Sequence, residues 1–266
     1  MKLPIPVPAP YDFERSTFRF RTFGDDLASR WQGGGLHRVL GSGLPVRIEA
    51  DGLTAYGSYT DRDRDEVAHL LGAGFDIGAF AQAFPALAAR APGFRPPLLA
   101  DPFEAMVTAV TAQQISLRAA AVMRAALVRR LGQRIDHDGF EWWRFPQQGD
   151  VRGADLAGLK LSAMKMRSIA ALADADLDVA HLDNEAVIAY VTRLPGIGRW
   201  TADWLLARCL GRLDVVAAGD LAVRKAVAVW FSGDPIWPEQ RVREAMAPFG
   251  EHTNLAVHYM LTPVGG

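Results

Sequence analysis

One stretch constrains this chain more than any other: Leu194-Pro-Gly-Ile-Gly-Arg-Trp-Thr-Ala202 lies between two segments of helical periodicity. The segment from Glu185 to Leu194, capped by Asp183, is closed by Pro195 and Gly196. A new helix begins at Arg199 or Trp200 and runs to about Leu210. Glycines at 196 and 198 permit a tight reversal with its backbone exposed. The first N–H groups of the second helix then have no intrahelical acceptor, and they point outward with the positive end of the helix dipole. A corner of this kind takes a phosphate without needing a charged side chain. A dinucleotide-cradling reading of Gly196-x-Gly198 finds little support, because the third glycine is absent and a helix, not a strand, precedes it.

The corner belongs to a chain of two textures. Before residue 61, Phe18-Arg-Phe-Arg-Thr-Phe23 and Pro45-Val-Arg-Ile-Glu49 alternate apolar with polar residues between glycine turns, which predicts antiparallel sheet. After Asp61 the spacing is helical throughout. Asp76 precedes a helical run from Ile77 to Ala91, and the Pro/Gly stretch after it is a connector. Asp101-Pro102 supplies an N-cap and a proline at the first helical position, opening one long segment to about Leu131. Further helices are expected over Leu221 to Phe231, Pro238 to Ala247 and Thr253 to Leu261. The expected fold is α+β: a small antiparallel β domain over 1–75, then an all-helical domain over 76–266 carrying the corner. The acid-rich run Asp61-Arg-Asp-Arg-Asp-Glu66 lacks the glycine and glutamate of a calcium loop and reads as a solvated surface turn.

Composition excludes several classes. Apolar runs such as Ala119 to Val128 are interrupted by arginine well short of the roughly 20 residues needed to span a bilayer. No cationic stretch followed by an apolar one opens the chain, so export is not expected and a cytoplasmic location is. Cys209 is the single cysteine, which rules out an internal disulfide and an iron-sulfur cluster held by thiolates. The six histidines show no metal-ligand spacing, so no metal is expected. A net charge of −1 argues against nucleic acid, yet Ala105 to Arg134 carries five arginines and no acid, and Gly158 to Ala170 carries Lys160, Lys165 and Arg167 with none. Those runs are solvated helix faces or phosphate-facing ones.

Eighteen residues beyond Ala202 stands Gly219-Asp220, an acid at the mouth of an apolar helix. Corner and acid together resemble the helix-hairpin-helix DNA glycosylase superfamily, in which the hairpin is followed by a catalytic aspartate. The segment from Asp101 to Ser116, with its Gln113-Gln114 pair, is similar to the opening of the helical domain in the 3-methyladenine DNA glycosylase II family. So are Leu156 to Lys165 and Pro10-Tyr-Asp-Phe13 to its pre-hairpin stretch and its N-terminal sheet domain. The resemblance covers most of the chain, and hairpin plus aspartate is its specific part.

It implies that Asp220 is catalytic and that Pro195, Gly196, Ile197, Gly198 and Thr201 form a DNA-gripping hairpin, with Arg199 and Lys165 as phosphate contacts. It places Trp200 and Trp204 at a base pocket, and Gln114, with Gln113 beside it, as the wedge that fills the gap left by an extruded nucleotide. Bifunctional relatives carry a lysine where this chain has Trp200, which cannot form an imine, so hydrolysis by water is expected. The implied function is removal of a damaged base, an alkylated purine, from double-stranded DNA by a monomer. No cofactor is implied beyond a structural monovalent cation at the hairpin. Leu221 and Glu251 replace aromatics of that family, so the pocket is less aromatic than its relatives'. Other readings stay open: Asp220 as an N-cap alone, Gln113 and Gln114 as a helix terminator, the tryptophans as core, and Lys225 as a phosphate contact or surface lysine directed away from Asp220. At the level of function, the alternatives are a glycosylase for oxidised or deaminated purines and a non-catalytic DNA-binding protein.

Overall fold

The computed structural model describes residues 2–262. It opens with two short helices, α1 (Phe13–Ser16), capped by Asp12, and α2 (Phe18–Thr22). Phe18 to Thr22 is therefore not the strand that its alternation predicted. Five residues are too few to separate a period of 2 from one helical turn, and here Phe20 packs on the sheet while Phe18 and Phe23 stay exposed. Strands β1 (Ser29–Gln32), β2 (Gly35–Val39), β3 (Pro45–Glu49) and β4 (Gly52–Ala55) follow as an antiparallel meander in chain order. Leu36, Val46, Ile48 and Leu53 are fully buried against Val67 and Leu70 of α3 (Asp61–Leu70). The acidic run is thus the start of a helix and not a turn: Thr60 and Asp63 make a reciprocal capping box, and buried Asp63 accepts from Ser42.

Two short helices, α4 (Ile77–Ala83) and α5 (Pro85–Ala88), replace the single one expected, because Pro85 starts a new helix. Asp101 and Pro102 open a helix as predicted, but the long segment is two helices, α6 (Pro102–Ala112) and α7 (Leu117–Leu131). Between them Gln114 takes a left-handed conformation, φ +59°, which no helix interior tolerates. After α7 comes a hairpin of β5 (Gln133–His137) and β6 (Phe140–Arg144), so the chain beyond residue 61 is not all helical. Asp138 and Gly139, at φ +54° and +73°, form its turn. The hairpin returns to the sheet, with Phe140 stacked on His37 at 4.4 Å and Trp142 5.2 Å from both His37 and Tyr56.

The rest is helical: α8 (Gln148–Val151), α9 (Ala163–Asp174), α10 (Asn184–Val191), α11 (Arg199–Arg208), α12 (Leu221–Ser232), α13 (Glu239–Met246) and α14 (Thr253–Leu261). One core gathers α6, α7, α9, α10 and α11, and a second gathers α4, α12, α13 and α14. Where the sheet meets α6, Arg38 is buried on both oxygens of Glu104, with Ser29 as a further partner at 2.7 Å. Arg124 of α7 pairs with Asp26 at 3.1 Å. Among the described residues, no helix is long and apolar enough to cross a membrane.

Candidate active site and nucleic-acid interface

The corner joins α10 to α11 and rests on α9. Gly196 sits at φ +71°, and a Cβ there would lie 2.3 Å from Ser168 Oγ, so only glycine closes this turn. Ile197 is buried and anchors the turn to the core, whereas Pro195, Gly196 and Gly198 are exposed. Gly198 is the N-cap of α11 and has no side chain to offer, so the first N–H groups of that helix are left open. Gln113, at the end of α6, donates to the Gly196 carbonyl at 3.0 Å and to the Thr201 hydroxyl at 3.1 Å. Thr201 is buried by this clamp.

Two expectations change here. Lys165, expected at a phosphate, is buried, and its ammonium donates to the carbonyls of Thr111 at 2.8 Å and Gln113 at 3.0 Å. It serves the carbonyls that α6 leaves without partners at its C-terminal end, and burial lowers its pKa. Gln113 is likewise engaged as a clamp, which leaves Gln114 as the member of the pair that stands exposed at the cleft. Arg199 is exposed and held by its Nε on Asp203 at 2.8 Å, and Arg243 binds the other oxygen of that buried acid.

A cleft of about 1510 Å³ is lined by residues of α1, α2, the turn between α6 and α7, α11, α12 and α14. Asp220 lies in it as the N-cap of α12. One carboxylate oxygen accepts from the N–H groups of Ala222 at 2.8 Å and Val223 at 3.3 Å. The other accepts from the indole N–H of Trp200 at 3.2 Å. The corner residues 195–198 do not themselves line the cleft; Trp200, in the first turn of the helix that the corner starts, lines it and ties that helix to the carboxylate. Trp200, tied to the acid, and Trp204, one turn on and packed against the core, both line the cleft with Gln114. Lys225 is exposed and also lines it.

Sequence reasoning missed three residues of this lining: Arg19, Arg208 and His258. Burial, then the neighbouring charges of Arg208 and Arg19, holds His258 well below the usual histidine range, so its ring is neutral. These three come from α2, the end of α11 and α14, and no spacing in the sequence announces their meeting. Among the described residues, no group of three or more His, Cys, Asp or Glu side chains is placed to hold a metal ion.

No family model matches the chain. It is 33% identical over 172 residues to a Mycobacterium tuberculosis protein named "Probable bifunctional transcriptional activator/DNA repair enzyme AlkA", an alignment covering 62% of this chain and 33% of that one. It is 30% identical over 181 residues to DNA-3-methyladenine glycosylase 2 of Escherichia coli, covering 65% of this chain and 62% of the relative. Among solved structures, the 3-methyladenine DNA-glycosylase of Archaeoglobus fulgidus superposes with a TM-score of 0.83 at 25% identity, covering 98% of this chain and 96% of that one. The chain thus spans from a third to about three-fifths of the length of these two curated relatives.

Proposed function

We propose that this chain, similar to DNA glycosylases in sequence and in fold, is a member of the helix-hairpin-helix DNA glycosylase superfamily and a monofunctional DNA glycosylase acting on damaged purines, alkylated ones among them. It turns the nucleotide out of the duplex and hydrolyses its N-glycosidic bond, as a cytoplasmic monomer. The observation that carries this reading is the carboxylate of Asp220, fixed in a cleft by Trp200 beside an open helix start. A stacked base cannot present its glycosidic bond, so the nucleotide leaves the stack. The open N–H groups of α11 and the exposed Arg199 take backbone phosphates, and Gln114 enters the gap from its left-handed turn.

As the bond from C1′ to the base lengthens, positive charge grows on the sugar. An oriented carboxylate, with water displaced by the bound nucleotide, stabilises that charge far more than solvent does. Water then adds to C1′. Trp200 has no amine with which to form an imine, which favours hydrolysis over strand cleavage.

The test uses duplexes that each hold one modified base, incubated with protein and then treated with alkali or with borohydride. Strand breaks that need alkali, without borohydride trapping, are expected. Trapping would put Lys225 or another amine at the sugar, and intact strands after alkali would refute base release.

A further inference from the structure

Arg19 and Arg208 line the cleft with Asp220 and have no part in the mechanism above. Most other charged groups of the lining are paired within the protein, Arg124 with Asp26, Glu104 with Arg38, Arg15 with Asp12 and Arg21 with Glu14, whereas exposed Lys225 makes no ion pair among the described residues. Among the described residues, Arg19 and Arg208 make neither a side-chain hydrogen bond nor an ion pair, and both are half-buried in the cleft wall. Burial lowers Arg19 to about 10, assisted by the like charge of Arg124, and Arg208 to about 9, assisted by Arg19. Both stay charged at neutral pH. His258 beside them is neutral and offsets nothing. Arg19 and Arg208, with exposed Lys225 at the rim, outnumber the carboxylate of Asp220 and leave this part of the cleft positive.

Half-buried guanidinium groups without protein acceptors keep their donors free for a ligand that enters the cleft and displaces water from them. Each is a planar array of donors with no acceptor of its own. A base with a fixed positive charge meets repulsion there. A neutral purine leaves differently: the bond from C1′ to N9 breaks, both electrons pass to N9, and the ring carries negative charge onto its nitrogens and any exocyclic oxygen. Water supplies the oxygen that bonds to C1′, and the proton it releases ends on the departed base. Throughout, the guanidinium groups keep their protons and donate hydrogen bonds to the leaving ring.

We infer that Arg19 and Arg208 are the leaving-base contacts of this cleft, equipping it to expel neutral purines that carry an oxygen acceptor and setting their rank against cationic N-alkylpurines. The inference rests on the glycosylase reading and deepens its substrate class. Asp220 answers the charge on the sugar, and the two arginines answer the opposite charge on the base.

The experiment is single-turnover release from duplexes bearing one hypoxanthine, which is neutral, or one 7-methylguanine, which is cationic, by the wild type, Arg208→Met and Arg19→Met. Each variant is expected to slow hypoxanthine release by about 10-fold or more, in keeping with the loss of a donor to a developing anion, and to speed 7-methylguanine release a few-fold. Arg19→Met, on a short outer helix, repeats the test should Arg208→Met fail to fold. Parallel loss on both duplexes, or a wild type that releases 7-methylguanine but not hypoxanthine, overturns this inference alone. A wild type that releases neither base overturns the glycosylase reading and this inference together.

Discussion

Two helices begin at the same cleft in opposite ways. At the start of α11, Gly198 offers no side chain and leaves its amides facing out. At the start of α12, Asp220 covers the equivalent amides with one oxygen and keeps the other on Trp200. Both ends carry the same positive dipole, about half a charge. An open start recruits an anion from outside, and a covered one brings its own and holds it in place. On the proposed function, one residue at each N-cap divides the work between gripping a phosphate and facing a sugar.

The largest break in this contrast comes from Asp220→Asn. Asparagine caps a helix as well as aspartate does, so unfolding stability should move by no more than about 0.5 kcal/mol. Base release should fall by about 100-fold or more while DNA affinity holds, read by single-turnover kinetics and fluorescence anisotropy. An unchanged rate would reduce Asp220 to a cap. Next is Lys165→Met, which probes the carbonyl end of a helix. Removing the donor to two carbonyls should cost about 1–3 kcal/mol in denaturant unfolding. The salt dependence of DNA binding should not move, whereas a lost phosphate contact would lower the slope by about 1.

Gly198→Asp sharpens the contrast directly by giving the open start an anion of its own. Backbone there is extended, and a Cβ meets nothing within 4 Å, so the substitution fits. Stability should rise by up to about 1 kcal/mol and DNA binding weaken by about tenfold. The smallest effect is expected from Arg199→Ala: a few-fold weaker binding, alike on all sequences, with a salt slope lower by about 1.

Local chemistry made much of this legible. Asp101-Pro102, Asp183 and the glycines of the corner act on their immediate neighbours, and each lies where its chemistry puts it. Asp138-Gly139 is an equally local signal for the β5–β6 turn, but β5 is largely exposed and β6 half-buried, so neither flanking strand alternates cleanly. What escaped was set by distant partners. Lys165 reads as a surface cation until α6 ends above it, and Arg19 meets Arg208 only because α2 folds over the cleft. Asp203, buried between Arg199 and Arg243, gave no warning either, since one of its partners lies forty residues away.

The Arg38–Glu104 pair governs how this protein can be divided. A version starting after the sheet would keep α6 and lose the guanidinium, stranding a carboxylate in the interior at a cost of about 3–5 kcal/mol. That is a large share of what holds an ordinary domain folded. The β-rich end is consequently not a detachable ornament: any descendant or truncation that sheds it must also change residue 104.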